Sequence, residues 1–86
     1  MLREYVKATM NKAHYKILED QTFFGEIPEF QGVQANATML EDCHDKLQEA
    51  LEGRIILSLR KHLPLPIVDG IDLVGSLTST EEQEES

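Results

Sequence analysis

Residues 38–62, TMLEDCHDKLQEALEGRIILSLRKH, decide how this chain folds. Within them Leu40, Cys43, Leu47, Ala50, Leu51, Ile55 and Leu59 recur at spacings of three and four, which lines one face of an α-helix with apolar side chains. The spacing predicts a helix over about 39–62. Thr38-Met39-Leu40-Glu41 fits a capping box at its start: the Thr38 hydroxyl can accept from the Glu41 amide while the Glu41 carboxylate reaches back to the Thr38 amide. Lys61 and His62 in the last turn suit the negative end of the helix dipole. Gly53 falls inside the helix at a cost of roughly 1 kcal/mol relative to alanine. It marks either a close packing contact or a tolerated weakness.

Working back toward the N-terminus, the period changes. Val33, Ala35 and Ala37 alternate with Gln34 and Asn36, the pattern of a half-buried strand. Pro28-Glu29-Phe30-Gln31-Gly32 before it reads as a loop. Phe23 to Ile27 reads as a strand stopped by Pro28. Glu19 to Thr22 reads as a turn, and residues 14–19 as a further strand, with Tyr15 and Ile17 on one face. The short separation makes these two strands a hairpin, and the third extends it as a meander. At the start, Leu2, Tyr5, Val6, Met10 and Ala13 form a stripe that predicts a short amphipathic helix over residues 2–12, with Arg3, Glu4, Lys7 and Lys12 opposite it.

Working forward, Leu63-Pro64-Leu65-Pro66 cannot continue the helix. Asp69-Gly70 is a turn signal, and Ile71, Leu73 and Gly75 suggest a short last strand. The order is α-β-β-β-α-β. The fold class expected is α+β, a two-layer domain in which one long helix packs on an antiparallel sheet.

Composition bounds what such a domain can do. The 86 residues carry 16 Asp plus Glu against 8 Lys plus Arg, a formal net charge of -8. That balance lacks the basic footprint of a protein that wraps phosphates, which argues against direct nucleic-acid binding. The single cysteine, Cys43, excludes an internal disulfide framework and a multi-cysteine zinc site. It falls in the apolar stripe and reads as a small buried hydrophobe. No apolar run approaches the roughly 20 residues needed to span a bilayer. The N-terminal stretch has no apolar region of the secretory kind, so a cytoplasmic location is expected. The acidic charge is uneven: residues 81–85 hold four of the acids, without which the net charge is -4. The expected organisation is a folded domain over 1–77 and a disordered acidic tail over 78–86. That tail steers a partner or is simply a frayed terminus.

Two surfaces of the long helix draw notice. Ile56 and Leu57 face away from the main stripe, and Leu63 and Leu65 follow closely. A domain this small has little chain left to cover them, so Ile56, Leu57, Leu63 and Leu65 form an expected interface of a homo-oligomer, a dimer or tetramer. Coverage by the last strand and first helix is the alternative. Asp42, Asp45, Glu49 and Glu52 run along the other side, either a docking stripe for a basic partner or a solvated face.

Nothing in the spacing assembles a catalytic site. His14, His44 and His62 include no pair at the spacing that places two ligands on one helix face. Cys43 and His44 are neighbours whose side chains on a helix point about 100° apart. There is no phosphate-cradling glycine loop and no nucleophile elbow. Asp20, Glu26 and Asp42 fall on a turn, a strand and a helix start, without the convergence that a two-metal nuclease requires. No enzyme activity, metal or cofactor is expected.

One ordered series of short motifs goes further. Tyr15-Lys16-Ile17 is followed by Glu19-Asp20, then by Phe24-Gly25-Glu26-Ile27-Pro28-Glu29-Phe30-Gln31-Gly32-Val33. Ala35-Asn36-Ala37-Thr38 and Leu40-Glu41-Asp42-Cys43 complete it. The specific part is the proline-acid-hydrophobic-x-glycine unit with a threonine about six residues later. In this order and spacing, residues 13–60 resemble the HicB-like antitoxin family, and Leu65 to Leu73 loosely resemble the last strand of its short members. The resemblance implies a partial ribonuclease-H-like fold without that enzyme's catalytic residues. It implies an antitoxin that binds and masks a small basic RNA-cleaving toxin of the HicA type. Full-length members often carry a C-terminal DNA-binding domain, which is not seen after Leu77. A first helix like residues 2–12 belongs to short, stand-alone members. A homo-oligomeric interaction or regulatory module of the same fold, with no toxin, is the alternative.

Overall fold

Five elements follow one another in the computed structural model, which describes residues 2–73: α1 (Leu2–Met10), β1 (His14–Ile17), β2 (Phe23–Glu26), β3 (Gln34–Ala37) and α2 (Leu40–Arg60). The strands form one antiparallel sheet in the order β1-β2-β3. Its register sets Tyr15 opposite Gly25 and Gly25 opposite Ala35, with Lys16, Phe24 and Asn36 in the next row. Because side chains alternate along a strand, these rows face opposite sides of the sheet. The Tyr15–Gly25–Ala35 row lies toward α2: the Cys43 thiol donates to the Ala35 carbonyl at 3.6 Å, and the Tyr15 ring stacks on His44. On the other face Lys16 Nζ lies 5.2 Å from the centre of the Phe24 ring. The result is the expected α+β arrangement, a long helix packed on one side of a small antiparallel sheet.

Most of the two stripes read from the sequence is the core, but Leu40 at the start of α2 and Leu2 at the start of α1 are exposed. Cys43, Leu47, Leu51 and Ile55 of α2 are buried, as are Tyr5, Val6 and Met10 of α1. Ile27, Phe30 and Val33 join them from the loop between β2 and β3. That loop folds back on itself through bonds from the Phe30 amide to the Ile27 carbonyl and from the Val33 amide to the Phe30 carbonyl. The turn delivers the Phe30 ring edge-on to Tyr5, with centroids 6.5 Å apart. Gly32 permits the turn with φ near 90°, in the region where side chains are strained.

The ends of α2 differ from expectation. The helix begins at Leu40, so its cap position is Met39, and no side-chain cap bond forms. The capping box expected from Thr38 and Glu41 is therefore absent: Thr38 sits one residue too early, and a methionine has no oxygen to offer. At the other end Lys61 is the C-cap, and His62 lies past the helix with φ near 56°. The His62 amide donates to the Leu59 carbonyl and the Leu63 amide to the Ser58 carbonyl. This is a Schellman ending with histidine in the place that glycine usually takes.

The expected last strand does not join the sheet among the described residues. Val68 and Ile71 instead pair only with each other, around Asp69 and Gly70, both of positive φ. That is the geometry of a tight hairpin turn, which reverses the chain between Val68 and Ile71. The hairpin still contributes to the core, since Val68 and Leu73 are buried. Gly75 of that expected strand and the whole acidic segment 78–86 lie outside the described residues. Gly53 meets nothing within 4 Å of where a Cβ would stand, so its place in the helix reflects a tolerated weakness and not a close contact.

Candidate functional site

The exposed side of α2 is built by its own periodicity. Asp42, Asp45, Glu49 and Glu52 follow one another at spacings of three, four and three, so they rise along one side of the helix, and all four are exposed. Ile56 continues the same row one turn later and is 50% exposed. The sequence expectation of an acidic stripe therefore corresponds to a continuous exposed ridge ending in an apolar side chain.

The four residues expected at an oligomer interface separate. Ile56 stands on the ridge. Leu57 is 45% exposed, about 100° further round the helix. Leu63 is exposed beyond the helix end, while Leu65 is half-buried against the core. The apolar surplus is real at Ile56, Leu57 and Leu63, whereas Leu65 packs against the core.

Between the helices lies a groove that the sequence reading did not anticipate. It has a volume of about 890 Å³. Leu2, Val6 and Met10 of α1 face Ile55, Ile56 and Leu59 of α2 across it. Arg3 and Lys7 stand along the α1 side and Glu52 along the α2 side, with His44 and Gln48 further along. None of Arg3, Lys7 or Glu52 takes part in an ion pair among the described residues. The groove thus has an apolar floor, a basic lip and an acidic lip. The available signal was that Leu2, Val6 and Met10 already sat at helical spacing while Leu2 had no obvious cover.

The titratable groups among the described residues have separate surroundings. Among the described residues no three His, Cys, Asp or Glu side chains could hold a metal ion together. Cys43 is fully buried, and that burial pushes its thiol above the ordinary range. His44 and Tyr15 stack with ring centres 6.4 Å apart, and burial also raises the Tyr15 hydroxyl. Asp20 is held below the usual carboxylate range because its Oδ1 accepts from both the hydroxyl and the amide of Thr22. Asn36 donates to the same Thr22 hydroxyl and to the Phe23 carbonyl, so this acid braces the turn between β1 and β2. Glu26, by contrast, lies exposed on β2. No described helix is long and apolar enough to cross a membrane.

Comparison with known proteins places this fold. The UPF0150-like family matches residues 4–66, from α1 through the end of α2 and into the proline-rich segment. The chain belongs to the UPF0150-like family. Among solved structures it is similar to that of TTHA0281 from Thermus thermophilus, with 32% sequence identity and a TM-score of 0.74. The likeness covers 78% of this chain and 84% of that one. No curated protein matches the chain. For this UPF0150-like chain, α1 from Glu4 onward and all of α2 fall within the matched segment, while Leu2 and Arg3 of the groove precede it.

Proposed function

We propose that this UPF0150-like chain is a non-enzymatic, HicB-like antitoxin that binds and masks a small basic RNA-cleaving toxin of the HicA type. The observation that carries the reading is the exposed ridge Asp42, Asp45, Glu49 and Glu52 on α2. Carboxylates aligned on a rigid helix present a continuous negative surface to a cationic protein, and a net charge of -8 raises the rate of encounter with it. The resemblance of residues 13–60 to HicB-like antitoxins supplies the partner class. The chain then acts in the cytoplasm, where such a toxin meets its RNA. Co-expression with a HicA-type toxin tests this. Growth should be rescued by the native chain and lost with Asp45→Lys/Glu49→Lys. A chain that neither rescues growth nor co-purifies with the toxin overturns the reading.

A second reading is a self-associating regulatory module of the same fold with no toxin. It is favoured by the exposure of Leu2, Ile56, Leu57 and Leu63, large apolar side chains that a monomer leaves in water.

A further inference from the structure

We infer that the α1–α2 groove is the surface on which two copies of this chain meet, lip to opposite lip, about a two-fold axis running along the groove. The inference deepens the self-association reading and rests on it. It replaces the diffuse set of exposed leucines with one self-complementary site.

The argument starts from the charges on the rims. Arg3 and Lys7 line the α1 side, while Glu52 lines the α2 side, with Glu49 one turn earlier on the same ridge. A two-fold interface applies the same patch to itself, so a favourable contact made once is made twice. A rotation about the groove's long axis carries each α1 over the α2 of the second copy. Arg3 and Lys7 then face Glu49 and Glu52 of that copy, and the reverse holds on the other side. A groove with two basic lips or two acidic lips would repel itself in this arrangement. One lip of each sign is what self-pairing requires.

The apolar parts agree with the charges. Leu2 on one lip is 49% exposed, and Ile56 on the other is similarly exposed. The same rotation brings Leu2 toward Ile56 of the second copy, over the floor formed by Val6, Met10, Ile55 and Leu59. That pattern, an apolar centre with charged rims, is how stable interfaces are built. Leu57 and Leu63 take no part in it. The Glu49–Glu52 end of the ridge is shared, so a toxin and a second copy would compete for it.

Charge reversal in two separate variants tests the pairing. One carries Arg3→Glu/Lys7→Glu and so has two acidic lips. The other carries Glu49→Lys/Glu52→Lys and has two basic lips. All four positions are exposed, and circular dichroism checks that each variant folds. In sedimentation at moderate salt, the native chain is expected at twice its 9.8 kDa mass. Each variant alone should fall to half that mass, and an equimolar mixture should recover the dimer. The second variant is the sharper one. Reversing two acids lowers the net charge from -8 to -4, so overall repulsion alone predicts that it associates more, whereas lip pairing predicts that it dissociates. A native chain that is monomeric overturns both this inference and the self-association reading. Variants that stay dimeric, or a mixture that stays monomeric, overturn the groove while leaving self-association elsewhere intact.

Discussion

The hydroxyl of Tyr5 donates to the carbonyl of Pro66 at 2.5 Å, tying the first helix to the segment that leaves the second, 61 residues apart in sequence. Tyr5 is fully buried, and its ring packs edge-on against Phe30. One side chain thus joins α1, the β2–β3 loop and the proline-rich exit. Removing only the hydroxyl in Tyr5→Phe leaves the ring contacts and strands the Pro66 carbonyl, at a cost of about 1–2 kcal/mol. For a domain of this size each kcal/mol lowers the Tm by roughly 4–8 °C, which calorimetry resolves. An unchanged Tm would mean that the bond contributes nothing net.

Gly25 has a different constraint. A Cβ there would stand 2.9 Å from Tyr15 Cε1 and 3.2 Å from Cys43 Sγ. The strand and the helix can approach this closely only because β2 has no side chain at that point. Gly25→Ala should destabilise by about 1–3 kcal/mol in urea unfolding, the range for overpacking a closed site. The clash is chiefly with the Tyr15 ring. In a Tyr15→Ala background the same substitution should therefore cost less, and the coupling is read from a double-mutant cycle. Equal costs in both backgrounds would place the strain elsewhere.

Met39 is 58% exposed and occupies the N-cap of α2 with extended backbone and no side-chain bond. The first amides of a 21-residue helix are thus left without a capping oxygen. Met39→Asp supplies that oxygen and a negative charge at the positive end of the helix, and should stabilise by about 1 kcal/mol. Thermal unfolding of the variant checks this against Thr38→Ala. The latter should change little, since Thr38 is not at the cap.

The contrast between Thr38 and Met39 shows where sequence reading reaches its limit. The α2 stripe from Cys43 to Ile55 was legible because a long helix with one buried face has a period nothing else produces. The three strands were legible from alternation and from Pro28. Which residue caps the helix was not, because only Thr38 and Met39 separate the end of β3 from the start of α2, and patterns do not resolve a single residue. The described part of the expected last strand departs for a related reason: Ile71 and Leu73 alternate, but the tight turn at Asp69 and Gly70 pairs Ile71 with Val68 and not with the sheet. At the candidate site the acidic ridge was readable, since it lies on one helix. The groove was not, because it exists only once α1 and α2 are side by side.

Three hydroxyl and thiol groups, of Cys43 and Tyr5 in the core and of the more exposed Tyr15, give the fold a defined alkaline limit. Burial raises the Cys43 thiol, the Tyr5 hydroxyl and the Tyr15 hydroxyl, and the nearby Asp72 carboxylate raises Tyr5 further. Each is an acid whose folded pKa lies above its unfolded value, so the folded state holds the proton longer. Their contribution to stability is complete below the unfolded pKa values, near 8.5 for cysteine and near 10 for tyrosine. It is lost as pH rises from there through the folded values, because the unfolded chain releases its protons first. The urea midpoint should hold steady up to about pH 8 and then fall, first with the cysteine and then with the tyrosines. Cys43→Ala should remove the early part of that fall. The same burial means that a thiol reagent should label Cys43 only as the fold opens, with a rate that follows urea concentration. Rapid labelling of the native protein at about pH 8 would contradict the buried thiol and with it the close packing of β2, β3 and α2.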